Sequence, residues 1–210
     1  MVMAEATNHY FKHLGVSDGL SQVCIPSIYQ DELGAVWLGT TEGLNRYNGK
    51  DVKVFQPSES NHGLTNNEIN ELCGDKNGRM YIRSGNDLIK LDIYTEQFTC
   101  LRQKGVYGLF CKKDTLWVSC ADGIYYYTGQ GTELTFFARV QKGFVGRALY
   151  VDKETVWVVT RKYLVAISRE DPLRQEILLT LDKGNCILGD SSGNIWVGAW
   201  NGLYRISPNR

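Results

Sequence analysis

The chain has 210 residues, 43% of them hydrophobic and 22% charged. At that size it can bury about 70% of its unfolded surface without help from a metal or a disulfide. Lys plus Arg and Asp plus Glu both number 23, so the basic excess of a dedicated nucleic-acid binder is missing. No apolar run approaches the roughly 18 residues of a membrane span, so no insertion into a bilayer by this chain is expected.

Met1 to Tyr10 has neither a charged leading region nor an apolar stretch and is not an intact signal peptide. Residues 1–9 read as a disordered segment. Residues 10–14, Tyr10-Phe11-Lys12-His13-Leu14, read as a spare strand with no partner of its own. Beyond it the chain repeats. Trp37, Tyr81, Trp117, Trp157 and Trp196 recur at spacings of 44, 36, 40 and 39 residues. Seven residues after each lies Leu44, Leu88, Ile124, Leu164 or Leu203. Asp31, Asp75 and Asp190 precede the aromatic by six residues and Asp152 by five, and Gly34, Gly78 and Gly193 follow three after their aspartates. A period of about 40 residues marks a repeat architecture.

In the first unit Ile25 to Gln30, Val36 to Thr40, Leu44 to Tyr47 and Val52 to Phe55 are apolar strands separated by Asp/Gly turns and an Asn48-Gly49 hairpin. No segment shows a capped helical period, so essentially no helix is expected. Four strands per unit, repeated, is the arithmetic of an all-β propeller. Five four-stranded blades are expected near 23–57, 67–102, 105–139, 145–180 and 184–207. They form either a closed five-bladed ring or, as the preferred reading, an arc of a seven-bladed one. Residues 10–14 supply the outer strand that closes the last blade. The five column aromatics should be buried blade core. The recurring aspartates read as turn formers.

Chemistry-bearing residues are few. Only three histidines exist, and no nucleophile, zinc-protease or phosphate-loop motif is present, so no catalytic residue, metal or cofactor is expected. The six cysteines contain no CxxC pair, and no obligate staple among them is expected. Across the Lys113-Asp114 turn, Cys111 is expected opposite about Val118 and Cys120 opposite about Leu109. Ligand sites are expected on the loops between second and third strands, which vary within a regular frame. Trp200, the one Trp outside the column, leads these candidates, followed by Asn201, Arg161, Tyr163, Arg83 and Glu42. An exposed aromatic with amide and cationic neighbours suits an oligosaccharide.

The run Asp31-Glu32-Leu33-Gly34-Ala35-Val36-Trp37-Leu38-Gly39-Thr40-Thr41-Glu42-Gly43-Leu44-Asn45-Arg46-Tyr47-Asn48-Gly49 resembles the two-component regulator propeller repeat. The lead-in Phe11-Lys12-His13-Leu14 with Asp18-Gly19-Leu20-Ser21-Gln22 is similar to the start of the mature sensor region in hybrid two-component systems of gut Bacteroidetes. The resemblance implies a periplasmic sensor of glycan fragments. In that family the propellers precede a β-sandwich, a membrane helix, a histidine kinase, a receiver and a DNA-binding domain. It implies that this chain is the front piece of such a receptor, with the remainder of the receptor or a second protomer as its partner. The alternative is an interaction scaffold with no small ligand.

Overall fold

A computed structural model describes residues 11–57, 63–141 and 144–207. Among the described residues nineteen strands follow a short 3-10 turn, Val16–Asp18. The first sheet holds β1 (Ser27–Gln30), β2 (Val36–Thr40), β3 (Gly43–Tyr47) and β4 (Val52–Phe55), in that order. The second holds β5 (Ile69–Gly74), β6 (Arg79–Ser84), β7 (Asp87–Asp92) and β8 (Gln97–Arg102). The third comprises β9 (Val106–Lys112), β10 (Thr115–Cys120), β11 (Gly123–Tyr127) and β12 (Thr135–Ala138). The fourth comprises β13 (Gly146–Val151), β14 (Thr155–Thr160), β15 (Tyr163–Ser168) and β16 (Gln175–Thr180). The fifth has three strands, β17 (Cys186–Gly189), β18 (Ile195–Ala199) and β19 (Gly202–Ile206). Every strand pairs antiparallel with the next in its sheet, and the first strands stand side by side from sheet to sheet.

The repeat's columns have a physical cause that the sequence alone does not display. In the first blade the Asp31 carboxylate accepts bonds from the Leu33 and Ala35 amides at 3.0 and 2.9 Å and from the Trp37 indole at 2.7 Å. Gly34 takes φ +86°, which an L side chain resists. Asp152 and Asp190 hold Trp157 and Trp196 the same way, at 2.7 and 2.8 Å. In the second blade the column residue is Tyr81, which has no indole N–H, and Arg79 engages Asp75 instead. Asp31, Asp152 and Asp190 are therefore turn formers and also anchors for the core aromatic.

Cores form between blades. Trp37, Leu44 and Phe55 pack against Leu72, Met80 and Ile89 of the second blade. Tyr81 and Leu88 meet Leu109 and Val118 of the third. Trp117 and Ile124 meet Leu149 and Val158 of the fourth. Val159 and Leu164 meet Ile195 and Val197 of the fifth. The inner strands of the second, third and fourth blades are covered on both faces, which explains their near-continuous apolar character.

The sheets form an open arc, so the closed five-bladed ring is not realised. Residues 11–14 join no strand, and Phe11 is 94% exposed. The segment lies instead by the first blade, where Lys12 donates to the Tyr47 hydroxyl at 3.1 Å. In an open arc it lies at the opposite end from the fifth blade, whose outer strand β19 has no further partner strand among the described residues. Tyr10 and the segment 1–9 lie outside the described residues. Trp37, Tyr81 and Trp117 are buried as expected, but Trp157 and Trp196 are only half-buried. Trp157 borders a hollow of about 650 Å³ between the fourth and fifth blades, beside Leu178, Tyr204 and Ile206. Among the described residues no sheet follows the fifth, to which Trp196 belongs.

One register expectation fails. The two-residue turn makes Lys112 and Thr115 the closing pair, so Cys111 faces Leu116, and Cys120 faces Val106. The turn is tight because Lys113 itself adopts φ +51°.

Candidate functional site

One end of the arc is built from the turns between second and third strands and from the connections leading into each next blade. Backbone bonds tie the two sets together. The Leu181 amide donates to Lys162 at 2.6 Å, Gly184 to Arg161 at 3.1 Å, and Trp200 to Asp182 at 2.8 Å. Loops that vary in sequence are thereby held on a fixed frame.

A cavity of about 410 Å³ opens here between the fourth and fifth blades, lined by Arg147, Arg161, Lys183, Asn185, Cys186 and Trp200. A second, of about 370 Å³, opens between the third and fourth blades, lined by Tyr107, Phe144, Arg147, Thr160, Arg161 and Lys162. Arg147 and Arg161 border both. Trp200 is 78% exposed, and the Lys183 ammonium sits 4.6 Å from its ring centroid. Among the described residues Arg147, Arg161 and Lys183 are in no ion pair. The arrangement offers a flat apolar face bordered by three cations. It can stack a sugar ring and bond to a carboxylate or sulfate group.

Arg147 reaches the site through a β-bulge. Gly146 pairs with Thr160 and Ala148 with Val159, leaving Arg147 as the extra residue, turned out and exposed. The same bulge recurs on the innermost strands of the two preceding blades, at Asn70 and Tyr107. This gives the arc a column of bulge residues at one end.

Of the six residues expected from sequence, Trp200 and Arg161 share this site. Asn201 is exposed beside Trp200, with its amide committed to the Tyr204 hydroxyl at 2.8 Å. Tyr163 packs against Phe144, ring centroids 4.8 Å apart, and belongs to the core between the third and fourth blades. Arg83 is spent internally on Glu71 at 3.4 Å and the Gly85 carbonyl at 3.2 Å. Glu42 lies on the first blade's turn, outside both cavities, its carbonyl bonded to Gln56. Arg147 and Lys183 were missed. Lys183 follows Asp182 in a connection rather than in a second-to-third turn, and the bulge at Arg147 has no sequence signature. In the run Tyr125-Tyr126-Tyr127, Tyr127 is buried, Tyr126 packs on Trp117, and Tyr125 on Phe136.

Among the described residues no group of three His, Cys, Asp or Glu side chains is placed to hold a metal. Nor is any helix there long and apolar enough to cross a membrane.

The comparisons agree with the frame. The model of a family described as two component regulator propeller matches residues 19–42. That segment is similar to a two-component regulator propeller repeat. A protein named histidine kinase P4, from Formosa agariphila, is 40% identical over 53 residues, which are 25% of this chain and 4% of that protein. Two solved structures from B. thetaiotaomicron share the fold. One is described as the extracellular domain of a hybrid two component system, with TM-score 0.82 and 23% identity over 94% of this chain and 30% of that one. The other is described as the extracellular domain of a one component system, with TM-score 0.79 and 20% identity over 98% and 33%. The chain thus spans a small part of the kinase and about a third of each extracellular domain.

Proposed function

We propose that this chain is part of the ligand-sensing propeller of a hybrid two-component regulator, and that it lies in the periplasm. In this reading the cleft between the fourth and fifth blades holds a glycan fragment, its ring on Trp200. Arg147, Arg161 and Lys183 favour oligosaccharides carrying a carboxylate or sulfate. Occupancy reaches the kinase and its transcriptional output through the remainder of the receptor, which requires the two receptor states to differ in ligand affinity. The observation that carries the reading is the exposed Trp200 beside Arg147, Arg161 and Lys183, on a loop end of a sensor-type fold.

Calorimetric titration with matched neutral and uronate-containing oligosaccharides tests it. The uronate series should bind, and Trp200→Ala should weaken binding by about tenfold or more. Arg161→Ala should cost affinity for the charged series alone. No heat from any member, or binding indifferent to Trp200, would overturn it.

The scaffold reading draws on a different observation. Leu188 and Leu203, on the fifth blade's free face, are 64% and 68% exposed, a surface suited to a further blade or a second protomer. Sedimentation showing self-association that Leu203→Glu abolishes, with no oligosaccharide binding, would favour it.

A further inference from the structure

Two cysteines far apart in sequence meet in space. Cys73 lies on β5 and Cys111 on β9, the innermost strands of the second and third blades, 38 residues apart along the chain. Their sulfurs stand 2.7 Å from each other. The approach is set by blade packing rather than by a mobile loop. Each residue sits within a paired strand, Cys73 opposite Tyr81 and Cys111 opposite Leu116. The same two strands are tied nearby, where the Leu109 amide donates to the Glu71 carboxylate at 3.1 Å. Tyr81, Leu109 and Leu116 pack around the pair. The other four cysteines are placed differently: Cys24 and Cys186 are exposed, Cys120 is buried, and Cys100 lies on the outer strand β8.

We propose that Cys73 and Cys111 form a redox-dependent disulfide that staples the second blade to the third. Closing from the observed separation to a bond of about 2.05 Å needs a movement of less than about 1 Å. The reaction is exchange with an external disulfide, supplied by an exported thiol oxidase or a small-molecule disulfide. The Cys111 thiolate attacks one sulfur of that donor and expels the other as a thiolate. Cys73 then gives up its proton and attacks the Cys111 sulfur of the mixed disulfide, releasing the second thiolate. Two protein thiols are oxidised and one external disulfide is reduced to two thiols. Burial pushes the Cys73 thiol well above its usual range, which makes it a poor first nucleophile and suits it to the resolving step inside the interface. The staple fixes the angle between two blades in the middle of the arc. That the bond forms in the cell rests on the periplasmic reading above, whereas its capacity to form does not.

The test uses reduced, purified protein treated with oxidised glutathione, alkylated and digested without reduction. Mass spectrometry should find one dominant linked peptide pair joining Cys73 to Cys111, with two of the six thiols lost. The oxidised protein should melt about 5–10 °C higher than the reduced one. Cys73→Ser and Cys111→Ser should each retain the β-sheet circular dichroism, lose the linked peptide and abolish the rise. Six alkylated thiols after oxidation, or a link between other cysteines, would overturn the proposal. Cell fractionation tests the periplasmic reading separately, since a protein found in the cytoplasm would sink that reading and leave the in-vitro cross-link standing.

Discussion

Trp37 and Trp196 occupy the same column of the repeat and donate the same indole bond to an aspartate six residues upstream. Their surroundings differ completely. Trp37 is fully buried, stacked on Phe55 at 5.7 Å and covered by the second blade. Trp196 is half-buried beneath Arg205, on a face that no later sheet covers among the described residues. The local bond belongs to the single repeat, whereas burial belongs to the pair of blades. The first blade's free face is treated differently again. The lead-in closes over it through Leu20, which is buried, and Ser21, whose amide donates to Asn45 at 2.9 Å.

This contrast is open to direct test by paired substitutions. Trp37→Ala should destabilise by about 3–5 kcal/mol, the loss expected when a buried aromatic leaves a cavity. Trp196→Ala should cost well under half of that in the same denaturant titration. Equal losses would mean that the local Asp–Trp bond, and not the neighbouring blade, carries the energy. A second pair sharpens the point at another column. Leu44 is fully buried and Leu203 is 68% exposed at the matching position. Leu44→Ala should cost about 2–5 kcal/mol; Leu203→Ala should stay within about 0.5 kcal/mol.

Carboxylates give the smallest and most specific test. Glu71 sits between the second and third blades, where burial raises it to about 7 against the opposing pull of Arg83 and the Leu109 amide. Asp190, at the open fifth blade, is lowered to about 2 because the Trp196 and Asn194 side chains bond to its charged form. The signs are opposite. From about pH 4.5 to 7 the folded protein holds a proton on Glu71 that the unfolded chain has released, so this group's contribution makes stability fall as pH rises. Asp190's contribution is present above 3.8 and is lost as pH falls toward 2. Glu71→Gln should remove the downward slope in unfolding free energy between pH 4.5 and 7, and Asp190→Asn should flatten the acid limb. An unchanged slope in Glu71→Gln would show that the interface leaves that carboxylate hydrated.

The repeat made much of this architecture readable in advance. Aromatic spacing, Asp-x-x-Gly turns and Leu columns each report on residues within one 40-residue unit, where cause and effect are adjacent in sequence. Trp200 was legible as an outlier from those columns, and Arg161 as a charged entry in a variable turn. Arg83 and Tyr163 misled because one strand's sequence does not say which of its side chains other segments of the same blade will consume: Glu71 on the neighbouring strand takes one, and Phe144 in the connection entering the blade takes the other. The bulge at Arg147 escaped notice because it is a mismatch between two strands, a property of their pairing rather than of either segment.

By itself, then, the sequence determined the four-strand unit, its turns and the aromatic that each unit presents to its neighbour, because short-range bonds and side-chain alternation are local. Only the tertiary structure decided whether the ring closes, which column residues are buried, where Arg147 and Lys183 join Trp200, and that Cys73 meets Cys111. Each of these depends on how one sheet packs against the next, and that packing brings together residues tens of positions apart whose proximity no local pattern encodes.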